Sequence, residues 1–172
     1  MWLYSVAFGA LSLIFSDALS PKFIARRLVI SAAEDIGLAN PNALLIANAA
    51  FEAVEKIGWP EGRIPLAEAA VYLATSPKSN SAYMGINRAL EVVKSTGALP
   101  VPLHLRNAPT KLMSELGYAD GYLYPHDYPH HFVAQRYLPE ALADLRLWTA
   151  ADNPAEQRAA TLQANLRGTQ TD

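Results

Sequence analysis

Three imidazoles and a carboxylate fall within six residues of one another in His126-Asp127-Tyr128-Pro129-His130-His131. Those are the donor types of a catalytic zinc or non-haem iron site. The spacing argues against convergence. Pro125 and Pro129 forbid the regular helix that would set residues four apart on one face, and Tyr122, Tyr124 and Phe132 around them have the character of packing anchors. Hydrogen-bonded structural histidines are the expectation. A metal site built from His126, Asp127, His130 and His131 is the alternative, and it would make the chain a small metal-dependent enzyme.

Two further charge constellations stand out. Glu34-Asp35 precedes Gly37 at a predicted helix end, where the helix dipole disfavours negative charge. Adjacent helical carboxylates do not face each other, which disfavours paired acid–base work. A cross-fold ion pair from Glu34 or Asp35 to Arg27, Lys78 or Arg106 is the expected remedy, a latch joining helix ends. The second is basic: Lys78, in Pro77-Lys78-Ser79-Asn80, and Arg106 and Lys111 flanking Asn107, all lie near helix starts. Together they could face phosphates as a DNA-binding accessory module, although few basic side chains give only weak, sequence-blind contact.

Other chemistry is missing from the pattern. The sequence has no G-x-x-x-x-G-K-[ST] loop, no G-x-G-x-x-G, no G-x-S-x-G and no H-E-x-x-H. Phosphoryl transfer needs a backbone cradle with a lysine set in it, so we assign no catalytic residue and no cofactor.

The elements that must position these residues are helices. The chain has 172 residues, 51% hydrophobic, with a net charge of −2 and no cysteine. It is long enough for a packed core, has no global pull toward nucleic acid, and fits a reducing, cytoplasmic setting. The apolar run Met1–Phe15 is too short to span a bilayer and has no basic flank before it, so no membrane association is expected.

Ser20-Pro21 and Asn40-Pro41 have the form of helix starts, and Gly37 and Gly58 of helix ends. The second helix is apolar almost all round, which predicts an enclosed position. A third helix begins near Pro65 and breaks at Ser76-Pro77. A fourth runs from about Ser79 to Gly97, its Ile86, Leu90 and Val93 spaced for one buried stripe. Thr110 caps a short helix, Tyr118 to Pro139 forms an irregular Tyr/His/Pro-rich wrap, and Asn153-Pro154 with Glu156 opens a last helix with a capping box. The reading is all-α: a helical bundle or collar over 21–172, preceded by a distinct apolar segment, 1–20.

Taken together, these segments resemble one family. Ser31 to Pro41 (SAAEDIGLANP), Ala74 to Tyr83 (ATSPKSNSAY) and Val101 to Met113 (VPLHLRNAPTKLM), with the later Tyr124-Pro125-His126-Asp127 and Gln135 to Pro139, follow the motif order of the replication-associated recombination protein A group of AAA+ ATPases. These are also called maintenance-of-genome-stability ATPases, and the Werner-helicase-interacting ATPases are their eukaryotic relatives. The resemblance implies a C-terminal region of the clamp-loader type through which subunits form a homotetramer. In the full-length family it implies action at stalled forks and DNA ends, and association with single-stranded-DNA-binding protein. Glu34, Asp35, Lys78, Asn80, Arg106, Asn107 and Lys111 then become structural or partner-contact residues. The family's phosphate loop is not among the motifs of this chain, so ATP hydrolysis does not carry over. Residues 1–20 do not match the more charged helix the family has there.

Overall fold

The computed structural model describes residues 20–168, and the segment 1–19 with its apolar run lies outside them. Among the described residues there is no strand. By packing they divide into two units, 20–86 with 148–158, and 87–147 with 159–168.

The first unit holds the hydrophobic core. Helix α1 (Pro21–Ser31) starts where Pro21 supplies a preset φ and lacks only an N–H that would go unpaired anyway. Ser20 contributes its backbone carbonyl to the first turn, not its hydroxyl. After Ser31 the chain widens into one π turn, Ala32–Ile36, closed by the Gly37 N–H donating to the Ala32 carbonyl. Helix α2 (Asn42–Ile57) and helix α3 (Arg63–Thr75) follow and pack against α1 and each other.

The core is Ile24, Ala25, Leu28, Ala32 and Ile36 against Ala43, Ala47, Ala50 and Val54 of α2 and Leu66, Ala69, Ala70 and Leu73 of α3. Alanines at the crossing points let the axes approach, and the larger residues fill the space between. This corrects the expectation of an enclosed α2: Ala43 and Ala47 are fully buried, whereas Leu45 is 66% exposed. Close approach of the axes selects the alanine face and turns the bulkier leucines outward.

Helix α4 (Ser81–Thr96) has the predicted limits but not the predicted burial. Ile86, Leu90 and Val93 are 56%, 61% and 60% exposed. Within the second unit, α5 (Lys111–Glu115) is capped by the Thr110 hydroxyl, which accepts from the Met113 N–H at 3.3 Å. The wrap is a series of short 3-10 turns, including Pro125–Asp127 and Pro129–His131. Among the described residues of this unit, Val133 is the buried apolar side chain. Helix α6 (Pro154–Gly168) ends the described chain. No helix among the described residues is long and apolar enough to cross a membrane.

Candidate functional site

The family-like motifs of the first unit meet at one junction, and the backbone makes it. The π turn directs the Asp35 carbonyl toward the Pro77–Asn80 segment, where it accepts from the Ser79 N–H at 2.9 Å. Gly37 has φ +48° and ψ −128°, and a Cβ there would lie 2.8 Å from the Ser79 carbonyl oxygen. Only glycine allows both the backbone conformation and the approach. The Asp35 carboxylate is occupied locally, accepting from the Ser31 hydroxyl at 2.7 Å. The Asn40 side chain does not cap α2 but reaches the C-terminal end of α3, donating to the Tyr72 and Ser76 hydroxyls at 3.1 Å each, while its carbonyl accepts from the Ala43 N–H.

The expected ion-pair latch is therefore replaced. Among the described residues the ion pairs are Lys22–Glu55, Lys56–Glu52, Lys111–Glu115 and Arg136–Glu140, and none involves Glu34 or Asp35. A main-chain hydrogen bond joins the same two motifs at no charge-desolvation cost, whereas burying an ion pair there would carry one. Glu34, Lys78 and Asn80 are exposed.

Ser79 is buried, and it links this junction to a carboxylate that side-chain patterns alone place only in a helix cap. Glu156 is 1% exposed. It accepts from the Ala151 N–H at 2.8 Å and the Asn153 amide at 3.0 Å, while its own N–H donates to Asn153 Oδ1 at 3.0 Å. Half of the capping box read from the sequence is present, the Asn153 side chain accepting from the Glu156 N–H; the return bond goes to the Ala151 N–H, because the Asn153 N–H donates to the Ala151 carbonyl. Burial pushes the Glu156 carboxyl upward, but hydrogen bonding from Ser79, the Ala151 amide, Ser81 and Asn153 outweighs it and holds the pKa below the ordinary value. Trp148 Nε1 donates to the Ser81 hydroxyl at 3.0 Å, completing the chain of contacts. The signal for this hub was the capping box; its serine partners, over 70 residues earlier in sequence, left none.

In the second unit Arg106 is turned to internal use. Its Nε donates to the Val101 carbonyl at 2.7 Å and an Nη to the Tyr118 hydroxyl at 3.1 Å, and the guanidinium lies 5.1 Å from the Tyr118 ring centre. Lys111 pairs loosely with Glu115 at 3.8 Å, and Asn107 is exposed. Lys78 belongs to the first unit and Arg106 to the second. These contacts engage part of the Arg106 guanidinium within the chain.

The histidine cluster does not converge. The His126 ring lies against Tyr124 and His131, with centroids 5.1 and 5.0 Å apart. His130 and His131 adopt φ +58° and +52°. No group of three or more His, Asp or Glu side chains among the described residues could hold a metal ion. Pro125 and Pro129 each open a short 3-10 turn in place of a continuous helix.

An all-α C-terminal region of an AAA+ ATPase is the class that this fold and these motifs define. The family model for the MgsA AAA+ ATPase C terminus matches residues 11–167, and the chain belongs to that family. The match begins inside the 1–20 segment that the sequence pattern set apart. The chain is 48% identical over 139 residues to a replication-associated recombination protein A of Coxiella burnetii, covering 80% of this chain and 32% of that protein. It is 42% identical over 129 residues to the protein of that name from Escherichia coli K12, covering 74% and 29%. To the ATPase WRNIP1 of Dictyostelium discoideum it is 45% identical over 123 residues, covering 71% and 14%. The chain thus spans about a third or less of the length of these relatives.

Proposed function

We propose that this chain is a non-catalytic assembly and interaction region of a replication-recombination ATPase, and that it self-associates as a homotetramer. The observation that carries the reading is α4. Ile86, Leu90 and Val93 recur at helical spacing on one face and are each more than half exposed. Apolar stripes of this kind on a helix are a cost in water and a gain at an interface. Membership of the MgsA C-terminal family supports the role in replication and recombination. Glu34, Lys78, Asn80 and Asn107, exposed beside motifs whose other members are structural, are available for contacts with DNA, with single-stranded-DNA-binding protein or with the ATPase portion of the relatives. A cytoplasmic location belongs to the same reading.

Light scattering at micromolar concentration is expected to give four times the monomer mass. The double substitution L90E/V93E should reduce that mass to a monomer while leaving the far-ultraviolet circular dichroism unchanged, because neither side chain is in the core. A wild-type monomer at all concentrations would refute the assembly role.

The chain is also expected neither to bind nor to hydrolyse ATP, since its sequence contains no phosphate loop. Isothermal calorimetry with Mg-ATP checks this; a stoichiometric heat of binding would overturn it.

A further inference from the structure

The start of α1, the end of α2 and the start of α3 share one end of the three-helix core. Lys22, in the first turn of α1, pairs with Glu55, in the last turn of α2, at 3.0 Å. Helix α3 begins directly after the turn that follows α2. Four large apolar side chains of this end, Phe23, Ile57, Trp59 and Ile64, are each between 45% and 62% exposed. We propose that they form the docking site of this chain's own apolar segment, Met1–Phe15, which lies outside the described residues.

Connectivity selects the occupant. The chain enters α1 at Ser20, and only Ser16 to Leu19 stand between it and Phe15. That stretch reaches at most about 18 Å when extended. The segment is therefore held beside this end of the core at a roughly millimolar effective concentration. A second copy of the chain at micromolar concentration competes poorly with it.

The chemistry of the two surfaces agrees. Met1–Phe15 carries no charged side chain, so it can cover apolar groups without stripping water from a charge. Lys22 and Glu55 at the edge already pair with each other, and an apolar cover leaves neither without its counter-charge. Trp59 stands on a turn closed by the Gly62 N–H, which donates to the Gly58 carbonyl at 2.8 Å. A Cβ at Gly62 would lie 2.7 Å from that oxygen, so the turn is tight. The anchor is thus set before docking, which lowers the ordering cost, and a large aromatic ring is the residue type that carries most energy at such contacts.

The test is thiol cross-linking in the full chain, which has no cysteine of its own. S12C/E61C places one thiol in the apolar segment and one in the turn beside Trp59, leaving the four apolar side chains intact. S12C/N42C is the control, at the other end of α2, where Ile30, Leu38 and Leu45 form a second exposed apolar set. From Ser12 to Ser20 an extended chain spans about 27 Å, more than the roughly 24 Å length of α2. The control is therefore within reach, and the tether does not force the result. With a short bismaleimide, S12C/E61C should form an intramolecular cross-link at least about tenfold faster than S12C/N42C, read by mass spectrometry of the joined peptides. Adding I57S/W59S to each pair should remove the difference, with circular dichroism checking the fold. The proposal is overturned if S12C/N42C reacts as fast or faster, if neither pair cross-links, if the product joins two chains, or if I57S/W59S changes nothing. The same result is expected in the L90E/V93E background, so the assembly reading can fail without touching this one.

Discussion

Replacing Gly37 by alanine should cost about 3 kcal/mol, from backbone strain of about 1–3 kcal/mol and a steric clash added to it. For a chain of this size that corresponds to a melting temperature lower by on the order of 10 °C. Two effects combine. The φ of +48° with ψ −128° lies where an L side chain is strained, and the new Cβ would sit 2.8 Å from the Ser79 carbonyl oxygen. That oxygen belongs to main chain tied to Asp35 by the 2.9 Å hydrogen bond, so it cannot move aside cheaply. Gly58 separates the two contributions. It also has positive φ, +69°, but a Cβ added there would meet nothing within 4 Å. G58A should therefore show strain alone and a smaller loss. Thermal melts showing G37A no worse than G58A would mean that the Gly37–Ser79 approach is not what holds the junction.

The second large effect is at Glu156. E156A should destabilise the chain by about 3 kcal/mol, because the partners it strands are buried and the lost acceptor is charged. The Ala151 N–H and the Asn153 amide would lose their acceptor at once, and the hydroxyls of Ser79 and Ser81 would lose a neighbour that they stabilise. No buried side-chain nitrogen or oxygen among the described residues is now without a partner, so the variant would introduce defects where there are none. The pH dependence follows from the direction of the shift. Glu156 is held below its ordinary 4.5, so the unfolded chain binds its proton first as pH falls. The stabilisation is complete above the unfolded value and is lost as pH drops through the lower, folded value. Urea unfolding at pH 7 and in the acid range should show wild type losing this increment and E156Q lacking it at both. A wild type and E156Q with parallel pH profiles would remove Glu156 from the account of acid sensitivity.

Much of the local structure was legible because its causes are local. Pro21 at a first helical position, Thr110 before α5, the Asn153–Glu156 box and the break at Ser76-Pro77 each act within a turn of their own position, and the helices begin and end there. Pro125 and Pro129 likewise act within their own turns, each opening a short 3-10 turn.

The basic residues divide differently. Sequence placed Arg106 with Lys78 and Lys111 as surface cations, but a guanidinium with five donors finds carbonyl and ring partners wherever the chain folds back, and only the fold put Val101 and Tyr118 there.

What the sequence determined by itself was the helical class, the order and limits of the main helices, and the family to which their motifs belong. Periodicity also stated which side chains share a face. It could not state what covers that face, because burial depends on the neighbour and not on the strip. Ala47 is buried while Leu45 is exposed because α1 and α3 approach α2 closely, and Ile86, Leu90 and Val93 share a face yet stay outside the core cluster, each more than half exposed. The tertiary structure alone decided the junction. Its link between Asp35 and Ser79 runs through an N–H and a carbonyl that every residue but proline carries, so no choice of side chain could announce it.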